Sequence, residues 1–322
     1  METLDADPFS DRSNLCRAWQ WLRSHARRAG LVALNILLNN DLVFHAVGRL
    51  NRRLGLLATV FVAYPASDSF SDAYGYRWTR ARIRWRPWVC GVFRQGRRWG
   101  LVTAVASTES DFLNPANHGA LRSLVARTER LRRLLGAERS TYAGILPGVL
   151  YSRRLVRQTP EADVTVDVLV RAEAEVRRRL GWADHVPVVV LGGRGFIGRR
   201  LVRRLAEQGR VVHPVDLNGG GHHGWPGHLA GTRAVLVNAA RRGALGGYLP
   251  HFWPELALLN EVYPEPDAAE LDALRRIGSP AFHVAGVAAQ CLPPFPGAYR
   301  GAVPCCAALP GPALAPLVCR LA

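Results

Sequence analysis

Apolar residues along the chain repeat with two different periods, and the changes between them mark out the elements. Up to residue 56 the spacing is helical. Trp and Arg crowd into "CRAWQWLRSHARR" (16–28), which reads as a helix lying on a surface or packed on a core. From "GLLATVFVAYPAS" (55–67) the pattern turns to strands, and "RPWVCGVFRQGRRWGLVTAVAST" (86–108) predicts a hairpin about Gln95-Gly96. Helical spacing returns over 114–137, with Leu121, Leu124, Val125, Leu131, Leu134 and Leu135 on or near one face. "STYAGILPGVL" (140–150) predicts a short strand running into a Pro-Gly turn, and 162–182 a long helix. Thr159-Pro160 breaks the pattern there. The chain therefore divides into a helical segment 1–56, an αβ domain 57–160 and a second domain 161–322.

The second domain opens with a different texture. Strand "VVVL" is followed by "GGRGFIG", then a helical stretch, then strand "RVVHPVDL". Three more apolar strands are expected within 233–245, 255–266 and 280–290. Only 17 residues separate Asp216 from Ala234, too few for an extra helix and strand. The fold class expected is α/β: an abbreviated, Rossmann-like parallel sheet preceded by a smaller αβ domain.

Composition changes the picture in one respect. Of 322 residues, 48% are hydrophobic and 21% charged, as in a globular protein, but 42 Lys+Arg face 25 Asp+Glu, a formal +17. All 42 are Arg, so mechanisms that need a lysine are excluded. So positive a field attracts an acidic carrier protein or an anionic membrane surface. The arginines follow several helices rather than one stripe, which argues against nucleic acid. Cys16, Cys90, Cys291, Cys305, Cys306 and Cys319 show no CxxC spacing, so neither a metal site nor a disulfide framework is expected. The N-terminus lacks the continuous apolar core of a signal peptide. The expected location is cytoplasmic, with room for peripheral membrane attachment. A homo-oligomer is compatible with the sequence.

Gly193, Gly195 and Gly198 have GxGxxG spacing, and Gly192 also fits the looser GxxGxxG form. Small residues there permit a tight turn, close approach of backbone to a pyrophosphate, and a helix packed on a strand. The phosphates would meet amides of Arg194, Phe196 and Ile197 at a helix starting near Phe196. Asp216 lies 18 residues after Gly198, where an acid bonds both ribose hydroxyls and repels a 2′-phosphate. NAD(H) is therefore favoured, while Arg210 and His213 leave room for NADP(H). Ligands in open α/β sheets bind beyond the carboxyl ends of the strands. That places Asn238, Ala239, Ala240, Arg241, Tyr263 and Gly286 where cofactor and substrate meet.

A dinucleotide domain placed behind a smaller αβ domain resembles the shikimate-dehydrogenase and amino-acid-dehydrogenase-like proteins, as do "VLVNAARRG", "NEVYPEP" and "VAGVAAQ". Within that group, "ESDFL" (109–113), "AGILPGVL" (143–150), "VDVLVRAEAEVRRRLG" (166–181), the glycine loop and "VYP" (262–264) are similar to the cyanobacterial-type long-chain acyl-[acyl-carrier-protein] reductases. The resemblance runs from about residue 58 to 300 and implies NAD(P)H-dependent reduction of an acyl or aldehyde substrate. In those reductases a cysteine takes the acyl group as a thioester, and Asp111 stands at the matching position. A carboxylate does not form that thioester. Cys90, Cys291 and Cys305-Cys306 are the stand-ins, with Cys291 nearest in sequence to the expected nicotinamide pocket.

Without a covalent step, reduction of a carbonyl needs a proton donor and an electrophilic clamp. His283 is the candidate donor, oriented by Asp111, and Arg241 the candidate clamp. Tyr142 and Tyr263 are further donors. "VLVNAARRG" followed by "FHVAG" is also similar to D-2-hydroxyacid dehydrogenases, where Arg241 and His283 would bind and protonate substrate. No acid falls cleanly into register beside them at Glu261 or Glu265. A third reading is a nucleotide-binding or partner-binding subunit without catalysis.

Overall fold

The computed structural model describes residues 14–65, 76–216, 224–295 and 301–322. The side chains of Cys16–Trp21, the end of the "VAYPAS" loop and the glycine-rich stretch 217–223 lie outside the described residues.

Two sheets face each other across one helix. The first has the order β10 (Gln290–Leu292), β2 (Trp88–Gln95), β3 (Arg98–Ala104), β1 (Leu57–Ala63) and β4 (Arg139–Tyr142). Strand β1 pairs in parallel with β3 and β4, and β2 is antiparallel to β3. The expected hairpin forms, turning at Gly96 in the left-handed region (φ 61°). In the second sheet β5 (Val188–Leu191), β6 (Val212–Val215), β7 (Ala234–Asn238), β8 (Leu256–Asn260) and β9 (Ala281–Ala288) run parallel in the order β9-β8-β7-β5-β6. This is the abbreviated doubly wound sheet the short 217–233 span requires. The chain leaves β5 for β6 on one side and crosses back to β7 on the other, so the topological switch lies between β5 and β7. Strands β11 (Ala302–Val303) and β12 (Pro316–Arg320) add antiparallel to the far edge of β9.

The alternation along the buried strands decides which layer each face meets. Val188 and Val190 join Val164, Val168, Leu169, Ala172 and Val176 of α7 (Pro160–Leu180), together with Phe61 and Phe93 of the first sheet. Val189 and Leu191 turn to the other side, onto Tyr248, Phe252 and Trp253. The outer face of the first sheet is covered by α5 (His118–Leu135), which buries Leu121, Leu124, Thr128, Leu131 and Leu135. Helix α7 is thus the shared wall of both halves. Its interior holds a buried ion pair, Arg177 to Glu173 (2.5 and 2.9 Å), two hydrogen bonds that satisfy charges taken out of water.

Two features depart from local reading. Pro147-Gly148 makes no turn; Pro147 takes the second position of α6 (Leu146–Ser152), in the first turn, where a missing N–H is tolerated. After Ala289 the chain passes directly from β9 into β10 (Gln290–Leu292), which pairs antiparallel with β2. One strand therefore stitches the second half onto the edge of the first. Gln95 adds a second stitch, donating to Leu309 O (2.9 Å) and accepting from Leu309 N (2.8 Å).

Candidate functional site

The glycine loop follows from sterics. Gly192 sits at φ 80°, and a Cβ there would lie 2.8 Å from Ala240 Cα at the end of β7. A Cβ on Gly193 would lie 2.7 Å from Pro214 Cβ, and on Gly198 only 2.0 Å from Gly192 O. Gly198 is thus the point at which α8 (Gly198–Glu207) rests on the β5 turn. The helix starts two residues later than Phe196. Most loop amides are already used: Gly192 and Gly193 donate to Val215 O, Gly195 to Gly192 O, and Arg194 to Asp216 Oδ2 (3.0 Å). The amides of Phe196, Ile197 and Gly198 make no hydrogen bond among the described residues. Three open donors at a helix start at the switch point fit a pyrophosphate. Asp216 sits at the end of β6, where one carboxylate oxygen fixes the loop; a carboxylate accepts further donors.

The Phe196 ring leans on the first half. A Cβ on Gly148 would lie 3.2 Å from it, Tyr151 lies 5.8 Å away, and the Arg200 guanidinium stacks 4.0 Å above its centroid.

A polar row crosses the ends of β7 and β8 and reaches the third residue of β9. Asn238, Asn260 and His283 are register partners on β7, β8 and β9. Ala240 N–H donates to Asn238 Oδ1 (3.2 Å), and Asn238 Nδ2 donates to Asn260 Oδ1 (2.8 Å). Asn260 Nδ2 in turn donates to Val262 O (2.7 Å) and to His283 Nδ1 (3.1 Å). A backbone donor at one end and a backbone acceptor at the other leave one direction for the chain. His283 Nδ1 accepts, so Nε2 carries the proton. Burial, with only 2% of His283 exposed, pulls its pKa below the usual histidine range against the opposing pull of Glu265. Glu265 Oε1 lies 3.8 Å from Nε2.

Two carboxyls sit at the seam between the halves. Burial raises Glu261, just past β8, from 4.5 to about 7. It raises Glu161, in the first turn of α7, from 4.5 to about 7 as well. Both act on the Cys306 thiol, which receives the Gly144 amide. On the first-half side Tyr64 donates to Glu109 Oε1 (2.9 Å) and accepts from Ile145 N–H (3.0 Å).

The other sequence candidates fall elsewhere. Asp111 is the capping-box residue of α4 (Glu109–Leu113): Oδ2 accepts from Thr108 N–H (3.1 Å) and Oδ1 from Arg84 (2.6 Å). Against the upward push of partial burial, these donors hold it below its usual range. Its partners all belong to the first half, so it does not orient His283. Arg241 is exposed just beyond β7. Gly286 (φ 110°) faces β11, where a Cβ would lie 2.2 Å from Val303 O; strand packing is what requires it. Ala239 donates to Leu191 O and Ala240 to Asn238, lining the switch point. Tyr142 is buried in β4.

None of Cys90, Cys291, Cys305 and Cys306 is activated. Burial raises Cys90 and Cys306 to about 12, Cys291 to about 11, and Cys305 well above the usual thiol value. Cys291 packs in β10 with its Sγ 3.5 Å from Ala302 O. Glu161, Asn260 and Cys306's surroundings escaped the sequence reading. Only the lone polar residues in otherwise apolar strands, Asn238 and Asn260 at their ends and His283 near the start of its own, signalled the row.

No model of a known protein family matches the chain, and neither does any curated protein. Solved structures similar to it include a shikimate dehydrogenase in complex with NADP+, 10% identical over 71% of this chain and 85% of that one (TM-score 0.39). Another is L-tryptophan dehydrogenase from Nostoc punctiforme, 15% identical over 70% and 68% (TM-score 0.33). A third is a D-isomer specific 2-hydroxyacid dehydrogenase family protein from Klebsiella pneumoniae 342, 15% identical over 70% and 78% (TM-score 0.31). At such identities the likeness is one of fold alone.

Proposed function

We propose that this chain is an NAD(P)-dependent oxidoreductase that interconverts a carbonyl and an alcohol at the seam between its halves, without a covalent acyl-enzyme. The observation that carries the reading is the set of open amides at Phe196, Ile197 and Gly198, at a topological switch flanked by Asp216 and the Asn238–Asn260–His283 row. Those amides would hold the pyrophosphate, and Asp216 the ribose, which favours NAD(H) over NADP(H). The nicotinamide, when bound, supplies the hydride.

The chain's own residues do the rest. His283, neutral and protonated on Nε2, donates a hydrogen bond to the substrate oxygen and stabilises negative charge growing there. In this tautomer it is not the base, because Nδ1 is held by Asn260. Glu261, with a pKa of about 7, is the group that exchanges a proton near neutral pH. The raised thiols speak against an acyl thioester on Cys90, Cys291, Cys305 or Cys306, so the substrate class is an aldehyde or 2-oxo acid rather than an acyl carrier thioester.

Quenching of tryptophan fluorescence by NADH or NADPH tests the first part, and loss of reduced-nicotinamide absorbance with aldehydes or 2-oxo acids the second. His283→Ala should keep dinucleotide binding and lose turnover by roughly 10²–10⁴-fold. Cys291→Ser should retain both. Failure of either dinucleotide to bind refutes the proposal; binding without turnover on any carbonyl assigns a nucleotide-binding subunit instead.

A further inference from the structure

The N-terminal helices α1 (Asn14–Leu38) and α2 (Asp41–Leu54) are part of no site described above. They meet in an elbow bent by 80°. Its outer surface carries large aliphatic side chains in water: Leu42 (84% exposed), Ile36 (72%), Leu37 (68%) and Leu50 (58%), with Leu38 and Leu54 beside them. We propose that this elbow docks on the surface of an anionic lipid bilayer, lying in the interface rather than crossing it.

Each helix is fixed to the body by one buried asparagine. In α1, Asn35 donates to Val89 O and accepts from Val89 N–H, both at 2.8 Å, as a paired strand would. In α2, Asn51 accepts from Leu57 N–H and donates to Gly136 O. Phe44, Gly48 and Asn51 form the inward line of α2, and a Cβ on Gly48 would lie 1.8 Å from Leu134 O. With about 100° per residue, Val47, Leu50 and Leu54 fall on one side of that line. Arg49 and Arg52 fall on the other, and Leu42 and Arg53 point outward, almost opposite it. The outward half of the helix thus carries an apolar flank and arginines interleaved with Leu42, the mixture of an interfacial helix.

Among the described residues no single helix is long and apolar enough to cross a membrane; only the bent pair passes together. Straightening that pair would tear Asn35 and Asn51 from the first sheet, so it lies on the surface instead.

Charge selects the occupant. From Leu22 to Leu56 the sequence has six arginines and a single acid, Asp41, which already pairs with Arg130. A second copy of a +17 chain would be repelled. Among the described side chains of the two helices, the exposed set is Leu, Ile and Val without Trp or Tyr, poor in the anchors that protein partners use. A bilayer needs only apolar area and a negative surface.

Vesicle sedimentation with the full chain tests this. The chain should pellet with vesicles of phosphatidylcholine and phosphatidylglycerol, less with phosphatidylcholine alone, and less as salt rises. Leu37→Ser/Leu42→Ser/Leu50→Ser replaces exposed residues, so its melting temperature and dinucleotide binding should hold. Its partition should fall on the order of 100-fold, well below what fully burying three leucines implies, because an interfacial helix buries them only in part. Arg49→Gln/Arg53→Gln should remove only the phosphatidylglycerol-dependent part. A wild type that stays in the supernatant, or a triple variant that pellets like it, overturns the proposal. So does lipid-free self-association in sedimentation velocity that the triple variant abolishes, which assigns the face to a second copy. Docking of an acidic carrier protein that the triple variant abolishes, with vesicles ignored, also overturns it.

Discussion

Replacing Glu161 by glutamine removes a charge that the fold holds at a cost. The side chain is 2% exposed in the first turn of α7, and its Oε2 has no hydrogen-bond partner. Burial moves its pKa from the ordinary 4.5 up to about 7, partly offset by backbone donors. Between those two values the folded protein binds a proton that the unfolded chain has released. Its contribution to stability is therefore complete below 4.5, falls as pH rises, and is lost once pH passes about 7.

At about 1.4 kcal/mol per tenfold in the proton equilibrium, ionisation of Glu161 costs the folded state about 0.8 kcal/mol at pH 5 and about 3.3 kcal/mol at pH 8. Glu161→Gln keeps the shape and cannot ionise. Its fixed effect, an amide facing the site of Oε2, is the same at both pH values. Glu261 titrates in the same window but is present in both proteins, so it cancels in the comparison. Urea unfolding of wild type and variant at pH 5 and pH 8 reads the difference directly. The variant should gain about 2.5 kcal/mol on the wild type between the two pH values. Parallel stability curves, separated by a constant, would show that Glu161 ionises in the fold as easily as in water and would sink the account.

Gly198→Ala should lose about 1–3 kcal/mol and much of its dinucleotide affinity, since the new methyl must displace α8 from Gly192 O; Gly30→Ala, with nothing within 4 Å, should gain about 0.5–1 kcal/mol in the same urea titration. Asn260→Leu leaves Asn238 Nδ2 and His283 Nδ1 buried without partners, at about 1–3 kcal/mol each. The imidazole ¹⁵N shifts should then report a mixture of tautomers where the wild type shows Nε2–H alone. Asp111→Ala should cost about 1 kcal/mol through the lost cap and leave turnover unchanged. Because the Asp111 carboxyl is held below its usual range, that deficit should be present at neutral pH and fade in acid unfolding as pH falls through the carboxylate range.

What was legible in the sequence is what local sterics or a single period dictate. Gly192 and Gly198 sit where a Cβ would strike backbone, so the loop admits few residues and its motif could be read. The apolar spacing of α5 and α7 could be read because one face of each is buried along its length. Pro147-Gly148 misled because a proline suits the first turn of a helix as well as it suits a turn. Glu161 looks like an ordinary acid at a helix start, a place where acids are usually solvated and favourable. Only the approach of the second half around Cys306 turns it into a buried one. Strand β10 had no local mark at all, since three residues find their partners about two hundred positions earlier.

The polar row joins these two kinds of information. Asn238 and Asn260 each close an apolar strand and His283 interrupts a third, which the sequence displays. Their meeting depends on parallel register across β7, β8 and β9, which it does not. Once aligned, the row can carry its donors in one direction only, because Ala240 N–H fixes the first amide and Val262 O fixes the second. The proton on His283 is thereby set by backbone atoms two strands away. Rotating the imidazole or either amide would leave a buried donor facing a donor, so the arrangement resists the fluctuation that would make His283 a base. The same rigidity extends to the seam, where β9 continues into β10 and binds the first sheet to the second. A cleft built this way keeps its proton donor in place before any ligand arrives, and the tuning left to pH rests on Glu261 and Glu161, the two carboxyls that burial has brought to neutrality.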